Sequence, residues 1–367
     1  MPDAVRVVVA AGGTAGHVVP AMAVAAELRA SGAEVSFLGT REKIEAELVP
    51  AAGYEIDFVK VRGIDRKNPL RAARAGFEAL GAVAAARAAL RARGADVVMG
   101  GGGYVAGPAG LAATLTGTPL VLTEADSHMG LANRLLARRA RRVCLAFPIA
   151  GREGERYLVT GRPVPREIFE ADREAARRRF GIAPEARCLF VVGGSQGARS
   201  VNFAAVEAFA ERAGRDFEVL HLSGRRDHGE LGTRLAAAPH RDGYTLVEYD
   251  PAGLGDYLAA ADLVLGRSGG SIFEVTAAGR PAILVPYPYA TGDHQSANAA
   301  WMERAGAATV LPDSALGDAA GAERLRAEIT AILTEPGRLR AMAAASRALA
   351  RPDAARRIAD EVLAAAR

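Results

Sequence analysis

The chain has 367 residues, of which 50% are apolar and 24% charged, with a formal net charge of +4. That length exceeds one ordinary hydrophobic core and favours two domains of a folded, soluble composition. So modest a charge, without an aromatic and basic stacking surface, gives no ground for nucleic-acid binding, and two distant cysteines, Cys144 and Cys188, make neither a disulfide framework nor a metal pattern.

Residues 5–11, apolar except for Arg6, form a strand-like run that stops at Gly12-Gly13-Thr14-Ala15-Gly16-His17. Such a run is the signature of a buried parallel strand. A helix is expected near 18–31, a strand at 35–38, a helix at 41–52, a strand-like stretch at 54–61 and a long helix at 69–93. Residues 97–123 carry no charge, yet their seven glycines and two prolines fit strand, glycine loop, short helix and strand better than a membrane span. A helix at 130–140 and strands at 142–145 and 157–161 close the half. The second half restarts with a strand at 187–192 that stops at Gly193-Gly194-Ser195-Gln196-Gly197-Ala198. Further strands are expected at 217–221, 244–247, 263–265 and 282–285, with helices at 199–213, 229–237, 253–260 and 271–278. Beyond Pro312 the chain reads as helical, with Asp353 capping a last helix that ends at Ala366. Alternation of this kind predicts an α/β fold of two Rossmann-like, doubly wound parallel-sheet domains facing each other across a cleft. With no signal peptide before the first strand, a cytoplasmic location is expected.

Ligands of open parallel sheets bind beyond the carboxyl ends of the strands. His17, at the end of the first glycine loop and at a helix start, is therefore a candidate base. Gly102, Gly103 and Tyr104 belong to a second loop whose N–H groups suit a pyrophosphate. The loop at 193–198 lacks the Lys-Ser/Thr of an ATP-binding loop and the spacing of a dinucleotide fingerprint, and a diphosphate held by backbone and Ser195 remains open. Arg267, Gly270, Ser271 and Glu274 form a third loop opening a helix, with Glu274 placed for two ribose hydroxyls. Asp293, His294, Gln295 and Asn298 form a polar cluster suited to sugar hydroxyls. They do not make a credible metal site, and no cofactor is expected. In region 69–93, Leu70, Ala73, Phe77, Leu80 and Ala84 share a helical spacing flanked by Arg66, Lys67, Arg71 and Arg74. Either an anionic membrane surface or the protein core fits that face.

Taken together, Gly12 to Pro20, Gly102 to Pro108, Gly193 to Ala198 and Asp293 to Ala299 resemble, in this order and over essentially the whole chain, the MurG family, the bacterial UDP-GlcNAc transferases of peptidoglycan synthesis. The resemblance implies a GT-B fold. Its N-terminal acceptor and membrane-side domain would span 1–163, with a C-terminal helix at 345–367 packing back on it, and its donor domain would span 164–344. It implies inverting transfer of GlcNAc from UDP-GlcNAc to the muramyl 4-hydroxyl of undecaprenyl-linked lipid I, giving lipid II, at the cytoplasmic face of the cell membrane by a peripheral enzyme. It places Ser195, Gln196, Gly197 and Arg166 at the donor diphosphate, with Arg267, Gly270 and Ser271 beside them. Glu274 would lie at the ribose, Gln295 and Asn298 at the GlcNAc hydroxyls, and the backbone near Tyr249 and Asp250 at uracil. Thr14, Ala15 and Gly16 would line the sugar and acceptor side, and Asp126 would contact the sugar. Gly102, Gly103, Tyr104 and Glu124 would lie on the acceptor side, and His17 would be the base. The chain departs from the family pattern in three places: Asp126 stands where asparagine is usual, Pro165 precedes Arg166, and the interval from Arg267 to Glu274 is one residue short. Alternatives are a GT-B UDP-sugar transferase with another acceptor, a UDP-GlcNAc 2-epimerase, or a non-catalytic nucleotide-sugar binder. Acceptor-dependent UDP release separates them.

Overall fold

The structure, a computed structural model, describes residues 4–61, 69–194, 197–211 and 213–367, with only the backbone for 69–79 and 291. Two compact units are present. The first comprises Met1–Pro165 and Arg351–Arg367, the second Arg166–Ala350.

In the first unit, strands and helices alternate: β1 (Arg6–Ala10), α1 (Ala15–Ala30), β2 (Glu34–Gly39), α2 (Glu45–Ala51), β3 (Glu55–Phe58), α3 (Pro69–Ala92), β4 (Val97–Gly100), α4 (Gly103–Thr116), β5 (Leu120–Glu124), α5 (Leu131–Leu136), β6 (Arg142–Leu145) and β7 (Tyr157–Val159). All pairings are parallel, in the order β3-β2-β1-β4-β5-β6-β7. The central strands are buried on both faces, which is why they read as unbroken apolar runs.

The second unit runs through α6 (Arg166–Glu170), α7 (Arg173–Phe180), β8 (Arg187–Val192), α8 (Arg199–Phe209), β9 (Phe217–Leu222), α9 (His228–Ala237), β10 (Tyr244–Val247), α10 (Gly255–Ala260), β11 (Leu263–Gly266), α11 (Ile272–Ala277), β12 (Ala282–Leu284), α12 (His294–Arg304), β13 (Ala308–Val310), α13 (Ala319–Thr334) and α14 (Pro336–Leu349). Its sheet, also parallel, has the order β10-β9-β8-β11-β12-β13. Both sheets thus follow the 3-2-1-4-5-6 winding of dinucleotide-type folds.

The last helix, α15 (Ala354–Ala365), belongs to the first unit. Its Ile358, Ala359 and Val362 join Val18, Ala21, Val24 and Leu28 of α1 in one core. The division falls at Ala350–Arg351 rather than the expected 344–345, because α14 runs unbroken to Leu349. Its Ser346 Oγ donates to the Arg280 carbonyl of the second unit at 2.7 Å. The first boundary falls after Pro165 instead of Pro163, since α6 begins at Arg166. Asp353 precedes α15, but its side chain makes no cap and faces Arg357 at 3.8 Å instead. Cys144 and Cys188 are buried free thiols, each pushed up to about 12 by that burial. Among the described residues, no helix is long and apolar enough to cross a membrane.

Candidate active site

Each sheet reverses its winding between two neighbouring strands, β1 and β4 in the first unit and β8 and β11 in the second. Glycine loops leave the carboxyl ends of both pairs. In the first unit the two loops lock together. A Cβ on Gly103 (φ +76°) would overlap the Gly12 carbonyl, and one on Gly102 (φ +97°) would lie 2.5 Å from His17 Cδ2. Only glycine lets the second loop lie against the first and against His17.

Thr14 is the extended residue ahead of α1, and its hydroxyl leaves the helix N–H groups alone. Oγ1 instead lies 3.2 Å from His17 Nδ1. If Nδ1 carries the proton and donates to Thr14, Nε2 keeps its lone pair for base chemistry. The His17 pKa lies below the ordinary 6.5. Burial is the main cause and the Arg162 guanidinium the second, opposed by Asp126 and Glu45. Arg162 is buried and donates to the carbonyls of Gly16 and Ala125.

A residue not foreseen from the sequence anchors the first loop. Glu45, fully buried at the start of α2, accepts from Gly13 N–H at 2.9 Å, from Thr40 N–H at 3.0 Å and from the Thr40 hydroxyl at 2.7 Å. Its side chain fills the space that a Cβ on Gly12 or Gly39 would need. Glu124 is also turned inward. It accepts from the N–H groups of Gly130 at 2.8 Å and Asp126 at 3.2 Å and from the Asn133 amide at 2.9 Å, so it shapes the loop after β5. Burial raises its pKa despite these donors. Asp126 is half-buried in that loop. Tyr104 is exposed at the start of α4, next to Gly13.

In the second unit, the loop after β8 closes on itself. Gly197 N–H donates to the Gly194 carbonyl at 2.9 Å, and a Cβ on Gly193 would overlap Ala198 N. Ser195 and Gln196 lie outside the described residues. The loop after β11 leads through Gly270 and Ser271 to half-buried Glu274 in the first turn of α11. Ser268 Oγ donates to the Gln295 carbonyl at 2.7 Å, and the Asn298 amide donates to the Ser268 carbonyl at 2.9 Å. Together they pin α12 to this loop. Gln295 Oε1 accepts from Tyr287 N–H at 2.9 Å.

Three expected ligand groups are engaged within the protein. Arg267, expected at the diphosphate, donates to the carbonyls of Val285 and Pro286, to Asp313 at 2.6 Å and to Ser200 at 2.9 Å. It ties the end of β12 to α8. Asn298 is 2% exposed and so holds α12 in place rather than lying open to a sugar. The Asp250 carboxylate is buried, which alone would raise its pKa. Ala252 N–H, the Tyr257 hydroxyl and Arg179 outweigh that and lower it, leaving the backbone there for recognition. Arg166, by contrast, is exposed and pairs with Glu170 at 2.5 Å.

Residues 7–145 match the model of the glycosyltransferase family 28 N-terminal domain, and residues 188–358 match that of its C-terminal domain. A protein of Moorella thermoacetica named UDP-N-acetylglucosamine–N-acetylmuramyl-(pentapeptide) pyrophosphoryl-undecaprenol N-acetylglucosamine transferase is 40% identical over 372 residues, covering 98% of each chain. The chain belongs to this transferase family. The crystal structure of MurG from Acinetobacter baumannii superposes with a TM-score of 0.76 at 30% identity, covering 98% of this chain and 99% of that one. The two Rossmann-like units are accordingly those of the GT-B fold of MurG. A UDP-GlcNAc 2-epimerase of Neisseria meningitidis matches at a TM-score of 0.66 but 14% identity, a likeness of fold alone. Each pair of glycine loops falls at the winding reversal of its sheet.

Proposed function

We propose that the chain moves GlcNAc from UDP-GlcNAc to the MurNAc 4-hydroxyl of undecaprenyl-pyrophosphoryl-MurNAc-pentapeptide, lipid I, and gives lipid II with inversion at the anomeric carbon. The observation that carries this reading is the 40% identity, across 98% of both chains, to a transferase of that name. The first unit would present the acceptor and the second the donor. His17 Nε2 draws the proton from the 4-hydroxyl as that oxygen attacks the anomeric carbon, and the bond to the UDP oxygen breaks. A depressed histidine pKa suits this role, because the base is already neutral near pH 7. N–H groups of the loop at 193–198, together with Arg166, would stabilise the leaving diphosphate. Glu274 and Gln295 would hold ribose and sugar.

A membrane face is supported by the first unit. Leu111 and Leu115 on α4 and Leu131 and Leu135 on α5 are exposed, as is Leu80 on α3. The two shorter helices pack through Gly107 and Gly110 against Ala132 and Leu136, and Arg134, Arg138, Arg139 and Arg141 are exposed close by. Apolar side chains ringed by arginines suit an anionic lipid surface. The face expected at 69–79 has no described side chains, and Arg66 and Lys67 lie outside the described residues.

One assay tests the reaction: UDP-GlcNAc with and without a lipid I analogue. UDP release only with the acceptor supports the transferase. UDP-ManNAc formed without it would mean an epimerase. If His17→Ala keeps near wild-type turnover, the base assignment is wrong. Sedimentation with anionic and neutral vesicles tests the membrane face.

A further inference from the structure

The second unit buries a histidine that no step above uses. His221 lies near the end of β9, on the sheet face that α8 covers, where Val219 joins the core. It is wholly buried. Its Nδ1 is 2.8 Å from the Tyr244 hydroxyl and its Nε2 is 3.0 Å from Asn202 Oδ1. Asn202, in the first turn of α8, donates its amide N–H groups to the Ser223 carbonyl at 2.9 Å and to Asp227 Oδ2 at 3.0 Å. These contacts assign every proton. The amide nitrogen has two acceptors, so the amide oxygen faces His221, Nε2 must carry hydrogen, and Nδ1 accepts from Tyr244.

The far end of this relay lies under the donor loop. A Cβ on Gly197 (φ +75°) would come within 2.6 Å of the Ser223 carbonyl and 3.4 Å of both Asn202 Nδ2 and Asp227 Oδ2. The loop therefore rests on the atoms that Asn202 holds. Arg226 donates to both oxygens of Asp227, at 3.1 and 3.2 Å, and Arg199 pairs with Oδ1 at 3.5 Å.

We propose that His221 and Tyr244 are positioning residues for the donor diphosphate: acting through Asn202, they fix the Ser223–Asp227 segment against which Gly197, near the end of the donor loop, is seated. The inference rests on the donor reading of that loop. Burial, with His228 adding and Asp227 opposing, depresses the His221 pKa to about 3, so the relay keeps one proton arrangement at neutral pH.

Three variants test it: His221→Leu, which leaves Asn202 Oδ1 without a donor; Tyr244→Phe, which removes one hydroxyl and keeps the ring; and His221→Gln, whose amide N–H can again reach Asn202. Steady-state kinetics with varied UDP-GlcNAc and varied lipid I analogue separate the two substrates. The expected result is a rise of about five- to tenfold in donor KM for His221→Leu, equivalent to one oriented hydrogen bond. A smaller rise is expected for Tyr244→Phe and recovery for His221→Gln, with acceptor KM unchanged throughout. A merely structural role would lower thermal stability without this split. Unchanged donor KM in folded Tyr244→Phe and His221→Leu, or acceptor KM rising by the same factor, overturns the inference. If His221→Leu does not fold, Tyr244→Phe and His221→Gln decide it. A wild-type protein that neither binds UDP-GlcNAc nor transfers from it overturns the functional reading instead.

Discussion

Replacing Glu45 by glutamine tests how firmly the first glycine loop is held. The substitution preserves volume, so no cavity opens beside Gly12 and Gly39. It changes three hydrogen bonds. The amide oxygen can still accept from Thr40, but the amide NH2 then faces the Gly13 N–H, donor against donor. Losing a bond to a charged acceptor and leaving one half-buried N–H unpaired costs about 2 kcal/mol. For a unit of this size that corresponds to a fall of about 4–8 °C in the melting temperature. The kinetic effect is expected to be larger, because Gly13 lies one residue before Thr14, which orients His17. A small displacement there lowers kcat/KM for the acceptor by about tenfold or more. Calorimetry of the purified protein and turnover with varied lipid I analogue measure both. A Glu45→Gln protein with wild-type melting and wild-type acceptor kcat/KM would refute the anchoring argument.

Other expected outcomes follow from the same geometry. Activity should fall with acid through the His17 pKa, so the acidic limb of kcat/KM should lie below pH 6.5, and Asp126→Asn, which removes a charge that raises this pKa, should move the limb further down. His221 has a folded pKa below its unfolded value. The unfolded chain therefore takes up the proton first as pH falls, and stability is lost from about pH 6.5 downward, by roughly 2 kcal/mol at pH 5. Urea titrations followed by Trp301, the single tryptophan, report the second unit directly, and His221→Gln should flatten the slope. Ile358→Ala in α15 removes a fully buried side chain and should destabilise the first unit by about 2–5 kcal/mol, seen as a lower melting transition.

Strands were legible because burial on both faces leaves an uninterrupted apolar run, as in 7–11 and 188–192. Glycine loops were legible because close backbone approach excludes a Cβ, as at Gly103 and Gly193. Three classes of feature were not. α7 is dominated by arginines and buries only Ala176 and Arg177, so it shows no apolar stripe, although Asp172 accepting from Ala175 N–H is a readable cap. β13 has three residues, too few for a period. Glu45, Asn202, His221 and Asp313 act through partners distant in sequence, and nothing in their local context announces it. The protein partners of Arg267 were hidden for a related reason. A cation after a strand reads as a ligand for phosphate, yet the carbonyls of Val285 and Pro286 needed a donor and found it there.

The return of α15 to the first unit sets an order for biosynthesis. Residues 5–165 leave the ribosome long before residue 354, and the whole second unit is made in between. Until α15 emerges, the apolar stripe of α1 formed by Val18, Ala21, Val24 and Leu28 has the sheet residues Val7, Val9 and Val97 for company but lacks Ile358, Ala359 and Val362. The nascent first unit is therefore incomplete while the second is being built, and it is the N-terminal half that finishes folding last. A stop codon near residue 350 would leave the second unit whole and remove only α15, yet it would strand the first unit in that incomplete state.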